Sequence, residues 1–92
     1  MNVSPQQQRP CIRSGFRLQW EAAQNAHVLL YPEGMVKLNG SAGEILSRCR
    51  GEMTVHEIVI DLERAFSREA LANDIGHFLD YALERGWIEV GA

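Results

Sequence analysis

The sequence predicts an α+β, winged-helix-like domain in which a three-stranded N-terminal sheet packs on a three-helix bundle. Three observations predict it. Short runs with strand periodicity fill the N-terminal part, and three amphipathic stripes fill the rest. Each stripe begins at a capping residue. The connections are short, in the order strand, strand, strand, helix, helix, helix, short strand.

The opening MNVSPQQQRP has almost no apolar content. Residues 1–12 are therefore expected to form a disordered tail, leaving residues 13–92 as the folded domain. Phe16–Trp20 alternates, with Phe16, Leu18 and Trp20 on one face. Asn25 is a turn candidate in the connection that follows. His27–Tyr31 is a second strand, rich in apolar and aromatic residues. Pro32-Glu33-Gly34 reads as a tight corner, with Gly34 free to take positive φ. Met35–Leu38 is the third strand, with Val36 and Leu38 inward and Met35 and Lys37 outward.

The helix signals are stronger. Ser41 and Glu44 have capping-box spacing, with Asn39 as a competing cap. Ala42, Ile45, Leu46 and Cys49 then follow one helical stripe, and Gly51 marks its stop. Gly43 stands in the first turn, where a better helix former is expected. Thr54 and Glu57 repeat the capping pattern before Val55, Ile58, Val59, Leu62 and Phe66. Ser67 caps a third helix from Arg68 to Arg85, with Leu71, Ile75, Phe78, Leu79 and Ala82 on its stripe. Gly86 ends it, and Trp87–Val90 forms a short closing strand.

Composition narrows the function. Ninety-two residues, 46% hydrophobic, make one small domain with a core. No apolar run approaches the roughly 20 residues of a membrane span, and no signal-peptide pattern opens the chain. A cytoplasmic protein with no membrane partner is expected. Cys11 and Cys49 lie far apart and read as reduced thiols, Cys49 as a small core residue. His27, His56 and His77 are scattered singly, so no metal ligands are expected. No phosphate loop appears, and Ser41 and Thr54 are caps rather than nucleophiles. No catalytic residue and no cofactor is expected.

The net charge of −3 is unevenly spread. Residues 1–38 hold four basic and two acidic side chains; residues 39–92 hold five and ten. The third helix would be the groove reader of a winged helix, yet it carries Arg68 and Arg85 against Glu69, Asp74, Asp80 and Glu84. An acidic helix opposes docking on phosphates, so no nucleic-acid partner is expected.

The motifs RLQW, VLLYPEG, LNGSAGEIL, RGEMTVHEI and FLDYALERGWI resemble, in order and spacing, the PqqD family of pyrroloquinoline quinone (PQQ) biosynthesis, over about residues 9–90. The resemblance implies a recognition domain for ribosomally made, modified peptides, with three strands packed on three helices. It implies no catalysis. The implied role is a peptide chaperone that binds the precursor peptide PqqA and presents it to the radical S-adenosylmethionine enzyme PqqE. That enzyme joins a Glu to a Tyr of the peptide, and the iron–sulfur chemistry is its own. In such domains the peptide adds as a strand to the third strand and lies against the third helix. The residues this implies are Met35, Val36, Lys37 and Leu38 on the strand, and Leu71, Asp74, Ile75 and Phe78 on the helix. An open edge also allows a homodimer. Two other readings stand beside this one: a winged-helix DNA-binding or regulatory module, and a small enzyme subunit.

Overall fold

The computed structural model describes residues 5–91. A 3-10 turn, Pro5–Gln7, leads into β1 (Arg9–Ile12), β2 (Arg17–Glu21), β3 (Ala26–Tyr31) and β4 (Gly34–Lys37). Three helices follow, α1 (Gly40–Ser47), α2 (Val55–Ala65) and α3 (Ala72–Glu84), and then β5 (Ile88–Gly91). The architecture is the expected α+β one, with a second, two-stranded sheet added.

β2, β3 and β4 form an antiparallel sheet with β3 in the middle. The most apolar strand takes the central place, and its Val28 and Leu29 are fully buried. The β2–β3 connection ends at Asn25, whose left-handed φ of 52° suits its short polar side chain. Gly34 does not have a positive φ; it pairs with Tyr31 and opens β4.

α1 packs directly on β3. Gly43 makes this approach possible. A Cβ there would lie 2.5 Å from Nδ1 of His27 and 3.0 Å from its Cβ, far inside contact distance. Close packing therefore overrides the weak helix propensity of glycine at this position. Asn39 wins the competition to cap α1: its Oδ1 accepts from the Ala42 N–H at 2.8 Å. Ser41 donates to the same oxygen, so the Ser41–Glu44 box is not formed.

α2 carries the expected capping box. Thr54 Oγ1 accepts from the Glu57 N–H, and Glu57 accepts from the Thr54 N–H. The Thr54 backbone bond, then its hydroxyl, hold the Glu57 carboxyl below its ordinary pKa. Arg48 ties α1 to α2: Nε donates to Asp61 at 2.6 Å and Nη1 to Glu44 at 3.0 Å. Burial alone would lower the Arg48 pKa, but the bonds to Asp61 and Glu44 outweigh it and raise it.

Three expectations need correction. Residues 5–12 are not a disordered tail. β1 pairs with β5 from Arg9↔Gly91 to Ile12↔Ile88, and Pro10 is fully buried. The Gln8 carbonyl accepts from the Val55 N–H, and the Pro5–Gln7 turn packs on α2. Main-chain bonds to the end of the chain order a segment whose composition promises little; residues 1–4 of the expected tail lie outside the described residues. The third helix starts at Ala72, not Arg68, with Leu71 at its cap position. Finally, Trp20 and Phe66 sit outside the core despite their places on apolar faces. Trp20 rests edge-on against His27, with ring centroids 5.0 Å apart.

Three outcomes follow from these contacts. Deleting residues 1–10 removes the Arg9↔Gly91 and Pro10↔Val90 pairs of β1 and the Pro10 contacts; the melting temperature should fall by about 10 °C, for a loss of roughly 2 kcal/mol. Gly43→Ala should destabilise by about 1–3 kcal/mol in urea titrations despite the gain in propensity, and His27→Ala in the same chain should relieve most of it. The Glu57 cap acts while its carboxylate is charged. Because the folded pKa lies below the ordinary 4.5, the stability it contributes is present above that value and is lost as pH falls through the depressed one. Glu57→Gln should flatten the acid limb of the α2 helical signal.

Candidate functional site

β4 is a sheet edge: among the described strands it pairs only with β3. The Leu38 N–H donates to the His27 carbonyl at 3.0 Å, continuing the β3–β4 register by one pair. Antiparallel ladders alternate, so Val36 and Gly34 also bond inward, to Leu29 and Tyr31. The outward main-chain groups are therefore those of Met35 and Lys37. Side chains alternate as well. Leu38 is buried and Val36 half-buried, while Met35, 53% exposed, and Lys37 face solvent, as the sequence pattern requires. The strand offers main-chain donors and acceptors with one flexible apolar and one cationic side chain beside them.

A cleft of about 670 Å³ opens where the start of α1, the end of α2 and the start of α3 converge. Ile45, Leu62, Leu71, Ile75 and Phe78 form its apolar lining, and Glu44, Arg68 and Asp74 supply its charges. Ile75 is buried, Leu71 and Phe78 are half-buried and Asp74 is exposed. All four sequence-derived residues near the third helix thus share one cleft. Met35, Val36, Lys37 and Leu38 do not line it. The lining begins at Asn39, the residue after Leu38, so edge and cleft are consecutive along the chain.

Sequence reasoning missed the contributions of Asn39–Ala42, Glu44, Ile45, Leu62, Phe66 and Arg68. One signal was present: Phe66 continues the α2 stripe one turn beyond Leu62, at the very end of the helix. There it has no core to enter, and it remains 45% exposed beside the cleft.

This arrangement suits binding: an apolar hollow, a few charges on its lining and a strand whose outer edge is unpaired among the described residues. Among the described residues no three His, Cys, Asp or Glu side chains stand close enough to hold a metal ion. Cys11 and Cys49 are free thiols. Burial, and secondarily the neighbouring Cys11, push the Cys49 thiol up to about 12, which makes it a core residue and not a nucleophile.

The family model for coenzyme PQQ synthesis protein D matches residues 26–88, from the start of β3 to the start of β5. The chain belongs to the PqqD family. It is 54% identical over 84 residues to a PqqA binding protein of Stutzerimonas stutzeri, covering 90% of this chain and 91% of that one. A PqqA binding protein of Azotobacter vinelandii is 51% identical over 82 residues, covering 88% and 89%. Among solved structures, the fold is similar to the solution NMR structure of the PqqD truncation of Methylobacterium extorquens PqqCD. The TM-score is 0.73, at 28% identity and 87% coverage of both chains. That protein is described as a functional, stand-alone recognition element for ribosomally synthesized and post-translationally modified peptides. PqqD membership agrees with the family resemblance carried by the sequence motifs. No helix among the described residues is long and apolar enough to cross a membrane.

Proposed function

We propose that the chain binds a PqqA precursor peptide as an added strand on β4 and presents it to the radical S-adenosylmethionine enzyme PqqE. The observation that carries this reading is the unpaired edge of β4, running at Leu38 into an apolar cleft. An added strand takes main-chain bonds from Met35 and Lys37, while selectivity comes from side-chain seats. Leu71, Ile75 and Phe78 supply the apolar seat, and Asp74 a charged neighbour. Val36 and Leu38 hold the strand to the core and present the edge. Lys37 attracts a carboxylate on the peptide. The names of the relatives, PqqA binding proteins, support the choice of peptide. The role is that of a non-catalytic chaperone in the cytoplasm.

A homodimer built on the same edge competes with peptide, because one edge accepts one added strand. The DNA-binding reading is opposed by α3, where Asp74, Asp80 and Glu84 stand without a single Lys or Arg between Ala72 and Glu84.

Proline separates the two sides of the strand. At position 37 it removes an outward donor and leaves the inward ladder bonds in place; at position 36 it removes a bond to β3. Lys37→Pro should weaken binding of PqqA peptide, measured by calorimetry, about tenfold or more with a small change in melting temperature. Val36→Pro should destabilise the fold itself. Full affinity in a folded Lys37→Pro variant would sink strand addition at this edge.

A further inference from the structure

The connector between α2 and α3 disagrees with its own sequence. Arg68, Glu69, Ala70 and Leu71 are all strong helix formers, and Ser67 before them is a favoured N-cap. Together they encode a first turn for α3. Instead α3 begins at Ala72, and Leu71 at its cap position makes no side-chain bond to the first amides. Ser67 and Ala70 take φ values of 52° and 60°. Both lie in the left-handed region, which disfavours residues with a Cβ.

The Ser67 conformation has a local use. It closes α2, with the Ser67 N–H donating to the Arg64 carbonyl at 3.3 Å and the Arg68 N–H to the Glu63 carbonyl at 2.9 Å. This is the usual helix end, with serine where glycine is the common choice. The Ala70 conformation has no such local use. It precedes a longer-range contact: the Leu71 N–H donates to Oε2 of Glu63 at 3.1 Å. Glu63 therefore grips the connector twice, by its carbonyl at Arg68 and by its carboxylate at Leu71. None of the four residues from Arg68 to Leu71 lies within a helix, although Leu71, at the cap position, already has right-handed helical dihedrals. Arg68 and Leu71 line the cleft, as does Phe66 at the end of α2.

We infer that Glu63 is the positioning residue of the cleft: its carboxylate holds residues 68–71 as a strained, non-helical strap that keeps the cleft open. The competing state winds these four residues into an added first turn of α3, capped by Ser67. That state relieves the strain at Ala70 and satisfies the local propensities. It also shortens the link to α2 and withdraws Leu71 from its half-buried seat. The bond from Leu71 to Glu63 and the seating of the Leu71 side chain hold the balance toward the strap. Strain of this kind persists only where surrounding contacts over-determine it, and it collects at ligand sites. Its consequence for affinity rests on the peptide-binding reading; the strap itself does not.

The test uses isotope-labelled full chain, read by Cα chemical shifts at residues 68–70 and by titration with PqqA peptide. Glu63→Ala should move these shifts to helical values and weaken peptide binding about fivefold, because only the strap state binds. Glu63→Gln keeps an acceptor for the Leu71 N–H and should retain wild-type shifts and affinity. Adding Ala70→Gly to Glu63→Ala favours the left-handed conformation over the helix and should restore both. Should Glu63→Ala fail to fold, the Ala70→Gly single variant decides: a raised melting temperature with unchanged shifts supports the strained strap, and a lowered one overturns it. Non-helical shifts in a folded Glu63→Ala also overturn it. If wild-type chain takes up no peptide, the binding reading falls, and the Cα shifts alone judge the strap.

Discussion

The close approach of α1 to β3 is the constraint from which the rest of the structure follows. A Cβ at Gly43 would force His27 or the helix to shift. Once α1 is seated there, the two-residue link between Lys37 and Gly40 leaves little choice for β4. It must lie beside β3 and hand the chain straight to α1. Leu38 enters the core in that link, and Asn39 caps the helix. The outer side of β4 is left unpaired, and the cleft starts at the first residue past it. Edge and cleft are thus consecutive along the chain, and the end of α2 and the start of α3 complete the cleft.

The edge is kept from aggregation by modest means. β4 is four residues long, and Lys37 stands on it. Like charges would meet if two copies paired symmetrically at that lysine. A peptide with a carboxylate in the same place meets the opposite situation. On the proposed strand addition, one side chain therefore discourages the wrong partner and encourages the right one.

Much of this was legible in the sequence, for local reasons. The Thr54–Glu57 box, the stripes of α1 and α2 and the inward–outward alternation of Val36, Leu38, Met35 and Lys37 are periodic or short-range signals. What was not legible depended on partners distant in sequence. β1 is ordered by β5, nearly eighty residues away, so the composition of MNVSPQQQRP misleads. Asn39 prevails over Ser41 because the chain turns from strand to helix two residues earlier than the capping box suggests. Gly43 looked like a weakness until His27 was placed against it. The start of α3 failed differently: local propensity asked for helix at Arg68–Leu71, and Glu63 together with the seat of Leu71 overruled it. Of the candidate site, Leu71, Asp74, Ile75 and Phe78 were found by resemblance. Leu62, Phe66 and Arg68 required the three-dimensional meeting of α2 and α3.

The central claim is that the peptide becomes a strand on β4, and amide hydrogen exchange tests it most directly. Strand addition has an alternating signature. The Met35 and Lys37 N–H groups point outward and should gain protection when saturating PqqA peptide is added. The Val36 N–H, already bonded to Leu29, should change far less. Protection that rises equally across Gly34–Leu38 would mark general stabilisation without strand addition. Protection confined to the lining of the cleft, with Met35 and Lys37 still exchanging freely, would contradict the account.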